Sequence, residues 1–323
     1  MRLNILYFCF FLLFFTNIFS QKITITIQDS IEKQSLPYSS VSFFNGNGIF
    51  ADENGKLIID KKIIDSIKVG HVGYFSKIIK ISNINDFVYL EKDTTLLKEV
   101  VLVYKRKESK GINVKPLIHN NVYNMYWSAM GQQYAFFIPS EIPNSFIKTL
   151  TFPIIKKDFD QLTGSGPLKK QNFKTLIKIE FFSKSGDFPD KRLYDFEQFA
   201  IINSENITDE FKLMLDEEIK IPTEGLFTLT TIYGKVDESD NLIIDTPYDL
   251  NIIDGEEKKF LKLILPDFPI VESPKGNLTY FRHIFTTDQK WYRITKPMLY
   301  DKDKEYPFFN IGLGYNTVIL KDN

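Results

Sequence analysis

Leu36-Pro37-Tyr38-Ser39-Ser40-Val41-Ser42-Phe43, followed by Ala51-Asp52-Glu53-Asn54-Gly55-Lys56-Leu57, decides the fold class of this chain. Pro37 has no N–H and is tolerated where a strand opens, and Val41 and Phe43 continue that strand on one face. Asn45-Gly46-Asn47-Gly48 asks for positive φ, which glycine adopts without steric cost. Asp52 first and Gly55 last mark a type I turn, after which Leu57-Ile58-Ile59 resumes the sheet. Upstream, Ile23, Ile25 and Ile27 alternate with Thr24 and Thr26, the period of a strand with one buried face. Asp29-Ser30 breaks it. Downstream, Ile67-Lys68-Val69-Gly70, Phe75-Ser76-Lys77-Ile78-Ile79-Lys80-Ile81 and Phe87-Val88-Tyr89-Leu90 supply three more strands. Short strands with turns at this spacing predict a small β-sandwich.

The order of these pieces resembles the carboxypeptidase regulatory-like (transthyretin-like) domain. The resemblance rests on Leu36-Pro37-Tyr38, Ala51-Asp52-Glu53-Asn54-Gly55, Gly73-Tyr74 and the closing Leu97-Lys98-Glu99-Val100-Val101, and covers residues 21–103. It departs from the family after the first strand, where Gln28-Asp29 stands in place of a glycine. The resemblance implies a non-catalytic accessory domain of the kind attached to secreted and outer-membrane proteins. It therefore speaks to architecture more than to activity.

Residues 1–20 read as a secretory signal peptide. Arg2 supplies a charged start, Ile5 to Phe15 an apolar core, and Ser20 a small residue at the exit. A membrane anchor would need about 20 apolar residues, so cleavage after Ser20 is expected. Cys9 is the single cysteine. It lies inside that core, so the mature chain has none, and disulfides and thiolate metal sites are excluded. No later apolar run is long enough for a transmembrane segment. With 40 basic and 41 acidic residues, no electrostatic surface for nucleic acid is visible. The expected location is secreted: the periplasm, the outer-membrane periphery or the cell exterior of a Gram-negative bacterium.

Tyr104 to Gly111 is a basic polar run that reads as a solvated linker, and residues 104–132 are taken as the boundary between domains. From Tyr134 onward the strand signal returns. Thr175-Leu176-Ile177-Lys178-Ile179-Glu180-Phe181-Phe182 puts Ile177, Ile179 and Phe181 on one face. Leu226 to Tyr233, Lys259 to Leu265, Tyr280 to Phe285, Trp291 to Ile294 and Pro307 to Gly312 repeat that logic. So many antiparallel strands close best as two packed sheets, and a jelly-roll-like β-sandwich is predicted for 133–323. Ile177-Lys178-Ile179-Glu180-Phe181, Pro189-Asp190-Lys191 and Ile219-Lys220-Ile221-Pro222-Thr223-Glu224-Gly225 resemble a sandwich that often follows the regulatory-like domain. That resemblance implies a fold and carries no activity.

Motifs that carry chemistry are scarce in this chain. A zinc carboxypeptidase needs a His followed three residues on by Glu. His71, His119 and His283 are followed at that spacing by Tyr74, Val122 and Thr286. Gly164-Ser165-Gly166 lacks the spacing of a nucleophile elbow, and no phosphate-binding loop occurs. Asp237 to Asn241 and Asp301 to Glu305 begin like calcium loops but lack the required Gly and closing Glu, and read as polar hairpins. Glu180, Glu197 and Glu224 could belong to a glycosidase carboxylate pair only if the fold brings them together; acids on solvated faces are the norm. No catalytic residue, metal or cofactor is assigned.

Aromatic side chains offer the remaining signal. Trp127, with Tyr123 and Tyr126 beside it, and the adjacent Trp291-Tyr292 are the candidate binding residues, because flat rings stack on sugar faces. One ring of an adjacent pair points outward from a strand. The loop from Lys156 to Asn172 is the longest candidate recognition loop. The expected function is a non-catalytic binding or structural accessory at the envelope, with a glycan or another envelope protein as partner. The alternatives are a glycan-active hydrolase and a partner of a TonB-dependent receptor, the latter implied by resemblance alone.

Overall fold

A computed structural model of the chain describes residues 22–60, 64–93, 107–119, 125–158, 169–272, 276, 278–294 and 308–321. Residues 1–20, expected to be a signal peptide, Leu97 to Val101, Tyr123, Gly164 to Gly166 and Asp301 to Glu305 lie outside the described residues. The chain is all-β, in two sandwiches in series. Among the described residues the only helical turn is the 3-10 turn Ile81–Asn83, and no helix is long and apolar enough to cross a membrane.

The first sandwich contains β1 (Lys22–Asp29), β2 (Ser40–Ser42), β3 (Gly48–Phe50), β4 (Lys56–Asp60), β5 (Ser66–Gly70), β6 (Lys77–Lys80) and β7 (Phe87–Leu90). One sheet runs β4-β1-β7 and the other β3-β2-β5-β6. Alternation does what period 2 requires: Ile25, Ile27, Leu57, Ile59, Ile67 and Val69 form the core between them. Asp52 Oδ1 accepts from the amides of Asn54 and Lys56, and Gly55 closes that turn at φ 72°. Asp29, which replaces the expected glycine, is buried. Its Oδ1 accepts from the amides of Ile31 and Glu32 at 2.7 Å, and its Oδ2 accepts from the Tyr74 hydroxyl at 2.9 Å. A carboxylate thus organises the turn by hydrogen bonding where a glycine would do so by conformational freedom.

One local expectation is corrected. Pro37 does not open a strand: Pro37 and Tyr38 form a turn, Tyr38 has φ 56°, and pairing begins only at Ser40. The turn places the Tyr38 ring 4.7 Å from that of Phe199, in the second sandwich.

The second sandwich begins within the segment expected to be a linker. Lys107–Val114 (β8) and Met125–Ala129 (β9) are strands, followed by Gln132–Ile138 (β10) and Ser145–Pro153 (β11). A short pair, Lys157–Asp158 (β12) and Lys169–Lys170 (β13), leads to Lys174–Ser185 (β14), Phe188–Arg192 (β15) and Gln198–Asn203 (β16). Glu210–Lys220 (β17) and Leu226–Lys235 (β18) precede a hairpin of Tyr248–Ile253 (β19) and Glu256–Leu261 (β20). Leu263–Glu272 (β21), Thr279–His283 (β22), Tyr292–Arg293 (β23), Phe309–Ile311 (β24) and Gly314–Lys321 (β25) complete it. β8 escaped the sequence reading because its KESKGINV is polar; it is held by pairing along β25.

The main sheet runs β15-β14-β18-β10-β22-β23, and it is faced by β17-β11-β25-β8 and by β24-β21-β9. Between these layers lie Tyr134, Phe136, Phe152, Ile177, Ile179, Phe181, Phe268, Phe309 and their neighbours, a single apolar core. The segment from Lys259 to Leu265, expected as one strand, is divided at Lys262 between β20 and β21.

A charged row sealed between the two sandwiches

The main sheet has a second face. Alternation that sends Ile177, Ile179 and Phe181 into the core sends Leu176, Lys178, Glu180 and Phe182 to the other side. On β18, β10 and β22 the same logic exposes Tyr233, Thr231, Gln133 and Arg282. Strand register then sets Lys178 beside Thr231, Thr231 beside Gln133, and Gln133 beside Arg282. Four strands thus carry one transverse polar row. It is not solvated, as the sequence reading expected for acids such as Glu180: Lys178 is 3% exposed and Glu180 2%.

The first sandwich covers it. Ile49 points into the first core while Phe50, the next residue, points out of it into a cluster with Met130, Leu176, Tyr233, Val236, Leu242 and Phe285. The Phe50 ring lies 4.1 Å from Tyr233 and 5.2 Å from Phe285. The Ser42 hydroxyl donates to the Phe285 carbonyl at 3.1 Å. This aromatic seal excludes water from one end of the row. Beyond it lies a cavity of about 300 Å³, lined from the first sandwich by Tyr38, Ser40, Lys68 and His71 and from the second by Lys178, Glu180, Gln133 and Arg282.

Inside, charges are matched unevenly. Lys178 Nζ lies 3.2 Å from Glu180 Oε2 and 3.6 Å from Glu197 Oε2. Burial alone would depress the Lys178 pKa, but the Glu180 charge, with those of Tyr233 and Glu197, outweighs it and raises the value. Arg192 Nε stands 3.8 Å from Glu180 Oε1, and its Nη1 3.4 Å from Asp195. Arg282 differs. Its Nε donates to Gln133 Oε1 at 2.7 Å, Gln133 Nε2 donates to Thr231 Oγ1 at 2.7 Å, and the guanidinium sits 4.2 Å from the centre of the Trp291 ring. Burial lowers its pKa to about 10, against the opposing pull of Glu180.

His71 roofs this site as a neutral imidazole. The single Ser39 hydroxyl proton goes to the Leu36 carbonyl at 2.8 Å. Ser39 Oγ, 3.0 Å from His71 Nδ1, must therefore accept, which assigns the proton to Nδ1 and the lone pair to Nε2. Burial, then the Lys178 charge, lowers the His71 pKa from 6.5 to about 3. The unfolded chain therefore takes up a proton near pH 6.5 that the folded chain refuses until about pH 3. Stability is full above pH 6.5 and falls with pH below it, by at most about 1.4 kcal/mol per unit for this group. Urea unfolding between pH 7 and 4 should show a shallower loss for His71→Gln than for the wild-type chain. Parallel curves would refute the assignment. His283, lowered to about 4 mainly by burial, keeps part of the slope in the variant.

The residues chosen from sequence fall on two surfaces. Trp127 is 39% exposed and stacks on Tyr126 at 5.7 Å. Tyr126 lies 4.9 Å from Phe281, which lies 5.8 Å from Tyr292, itself 49% exposed. Trp127 and Tyr292 thus end one row of four rings. Trp291 turns to the opposite face, where it covers Arg282 beside Phe137, Phe182 and Tyr280. Glu180 and Glu197 meet only across the Lys178 ammonium, and Glu224 is exposed on the turn before β18. Asp237 Oδ1 is taken up by the amides of Ser239 and Asn241, as a polar turn requires. The sequence reading missed Lys178, Arg282, Gln133 and His71. One signal was available: Leu226 to Tyr233 has no charged residue on either face, which marks a strand covered on both sides. Protein-family models, curated proteins and solved structures were all compared with the chain, and none matches.

Proposed function

We propose that this chain is a non-catalytic binding protein of the bacterial cell envelope that recognises a glycan through the ring row ending in Trp127 and Tyr292. The carrying observation is that two sequence-distant, exposed aromatic residues are joined through Tyr126 and Phe281 into one surface. Flat rings with a polar edge suit a ligand that is apolar on one face and hydroxylated on the other. Tyr292 already has its hydroxyl oriented, donating to Asp288 Oδ2 at 3.1 Å. The first sandwich, of the regulatory-like type by resemblance, acts as an accessory that covers the opposite face of the main sheet. The ion pairing of Glu180 and Glu197 with one lysine favours binding over glycoside hydrolysis, which needs one free carboxylic acid and one free carboxylate.

A glycan array probed with the wild-type chain, Trp127→Ala and Tyr292→Ala tests this. Binding that drops several-fold in both variants, with melting temperatures unchanged, is the expected result. Binding retained by both, or an array without a hit, would reject the ring row as the recognition surface.

A further inference from the structure

We infer that the cavity between the two sandwiches is a second binding site, which takes a small organic oxyanion, a carboxylate or phosphate, on the guanidinium of Arg282. The site lies on the face of the main sheet opposite the ring row, because Phe281 and Arg282 are neighbours on one strand. Lys178, Arg192 and Arg282 lie within electrostatic reach of one buried carboxylate, Glu180. Lys178 and Arg192 take its two oxygens, and each has a further acid at the rim, Glu197 and Asp195. Among the described residues, Arg282 has no carboxylate within ion-pair distance. A half-buried cation without a counter-ion is costly, and an anion entering the cavity would supply one.

The geometry is prepared for that. Among the described residues, Nε is the only Arg282 nitrogen with a hydrogen-bond acceptor, Gln133 Oε1. Stacking on Trp291 fixes the plane of the guanidinium, and its two terminal nitrogens form the fork that binds carboxylate or phosphate in bidentate fashion. Thr231 holds Gln133 in place, so the orienting residues are themselves oriented. Lys68, on the first sandwich, lines the opposite wall without an ion pair among the described residues. The volume of about 300 Å³ is at the small end of ligand pockets and suits a molecule the size of a monosaccharide. Trp291 is a positioning residue here, acting through Arg282.

Calorimetric titration of the full chain at pH 7 with glucuronate, glucose 6-phosphate and glucose tests the inference and separates its two anion sources. Saturable binding of one or both anions, weakened at high salt and absent for glucose, is expected. Arg282→Gln should lower the affinity at least about tenfold, the scale of lost charged hydrogen bonds. Lys68→Gln, half-buried on the opposite wall and outside the packed row, should lower it less and leave melting unchanged, so a folding defect in the first variant does not decide the result. Trp291→Ala should weaken anion binding yet leave array binding intact, whereas Tyr292→Ala should do the reverse. Glucose and glucuronate binding that Arg282→Gln leaves unchanged or weakens equally, or no saturable binding of either anion, would overturn the oxyanion site. Neither outcome touches the ring row, which the array tests by itself.

Discussion

Lys178→Met should destabilise the protein by about 3–5 kcal/mol in urea unfolding at pH 7, the range for breaking a buried ion pair from one side. Glu180 is 2% exposed, and the substitution removes its nearest cation, at 3.2 Å, leaving Arg192, at 3.8 Å, as its ion-pair partner among the described residues. Methionine fills a similar volume, so the loss reports the orphaned carboxylate more than a cavity. The double variant Lys178→Met with Glu180→Leu should recover more than half of that loss, because replacing both partners of a buried pair with apolar groups is near neutral. A double variant as unstable as the sum of the two singles would show that the pair is not coupled.

Phe285→Ala should cost about 3–5 kcal/mol, as for other fully buried phenylalanines, and its effect should concentrate on the docking of the sandwiches. The ring is 0% exposed and sits between glycines from both bodies. A Cβ added at Gly48 would overlap the Phe285 ring and the Val41 carbonyl, and one added at Gly131 would stand 2.7 Å from the ring. Gly131 also needs its φ of 79°, which most side chains resist. Gly48 has no such constraint, so Gly48→Ala is a purely steric probe. It should destabilise the wild-type chain strongly and the Phe285→Ala chain less, since the vacated ring space relieves one of its two clashes and leaves the one with the Val41 carbonyl. A wild-type chain that melts in one transition should melt in two once Phe285 is removed. Equal costs of Gly48→Ala in both backgrounds would mean that the contact is not what seats one sandwich on the other.

Much of this architecture was legible as local pattern. Ile23, Ile25 and Ile27 announce a strand with one dry face, and Asp52 to Gly55 a turn, because each depends only on neighbours a few residues away. Pairing of the polar strand β8 was not legible, since KESKGINV is strand by virtue of the ladder it joins. Pro37-Tyr38 misled for a related reason: its turn sets Tyr38 against Phe199, more than a hundred positions away.

The candidate sites divide in the same way. Trp127 and Tyr292 stood out by residue type, yet only folding joined them through Phe281 and sent Trp291 to the other face. By itself the sequence determined the all-β class, the strand period, the turns and which residues share a face. Tertiary structure alone decided that the face bearing Lys178, Glu180, Gln133 and Arg282 is covered by the first sandwich. The physical reason is that alternation specifies the two sides of a strand, while what covers a side comes from residues distant in the chain. Burial then changes the chemistry: charges that water would have screened on an open sheet become a matched pair and one guanidinium awaiting a counter-ion.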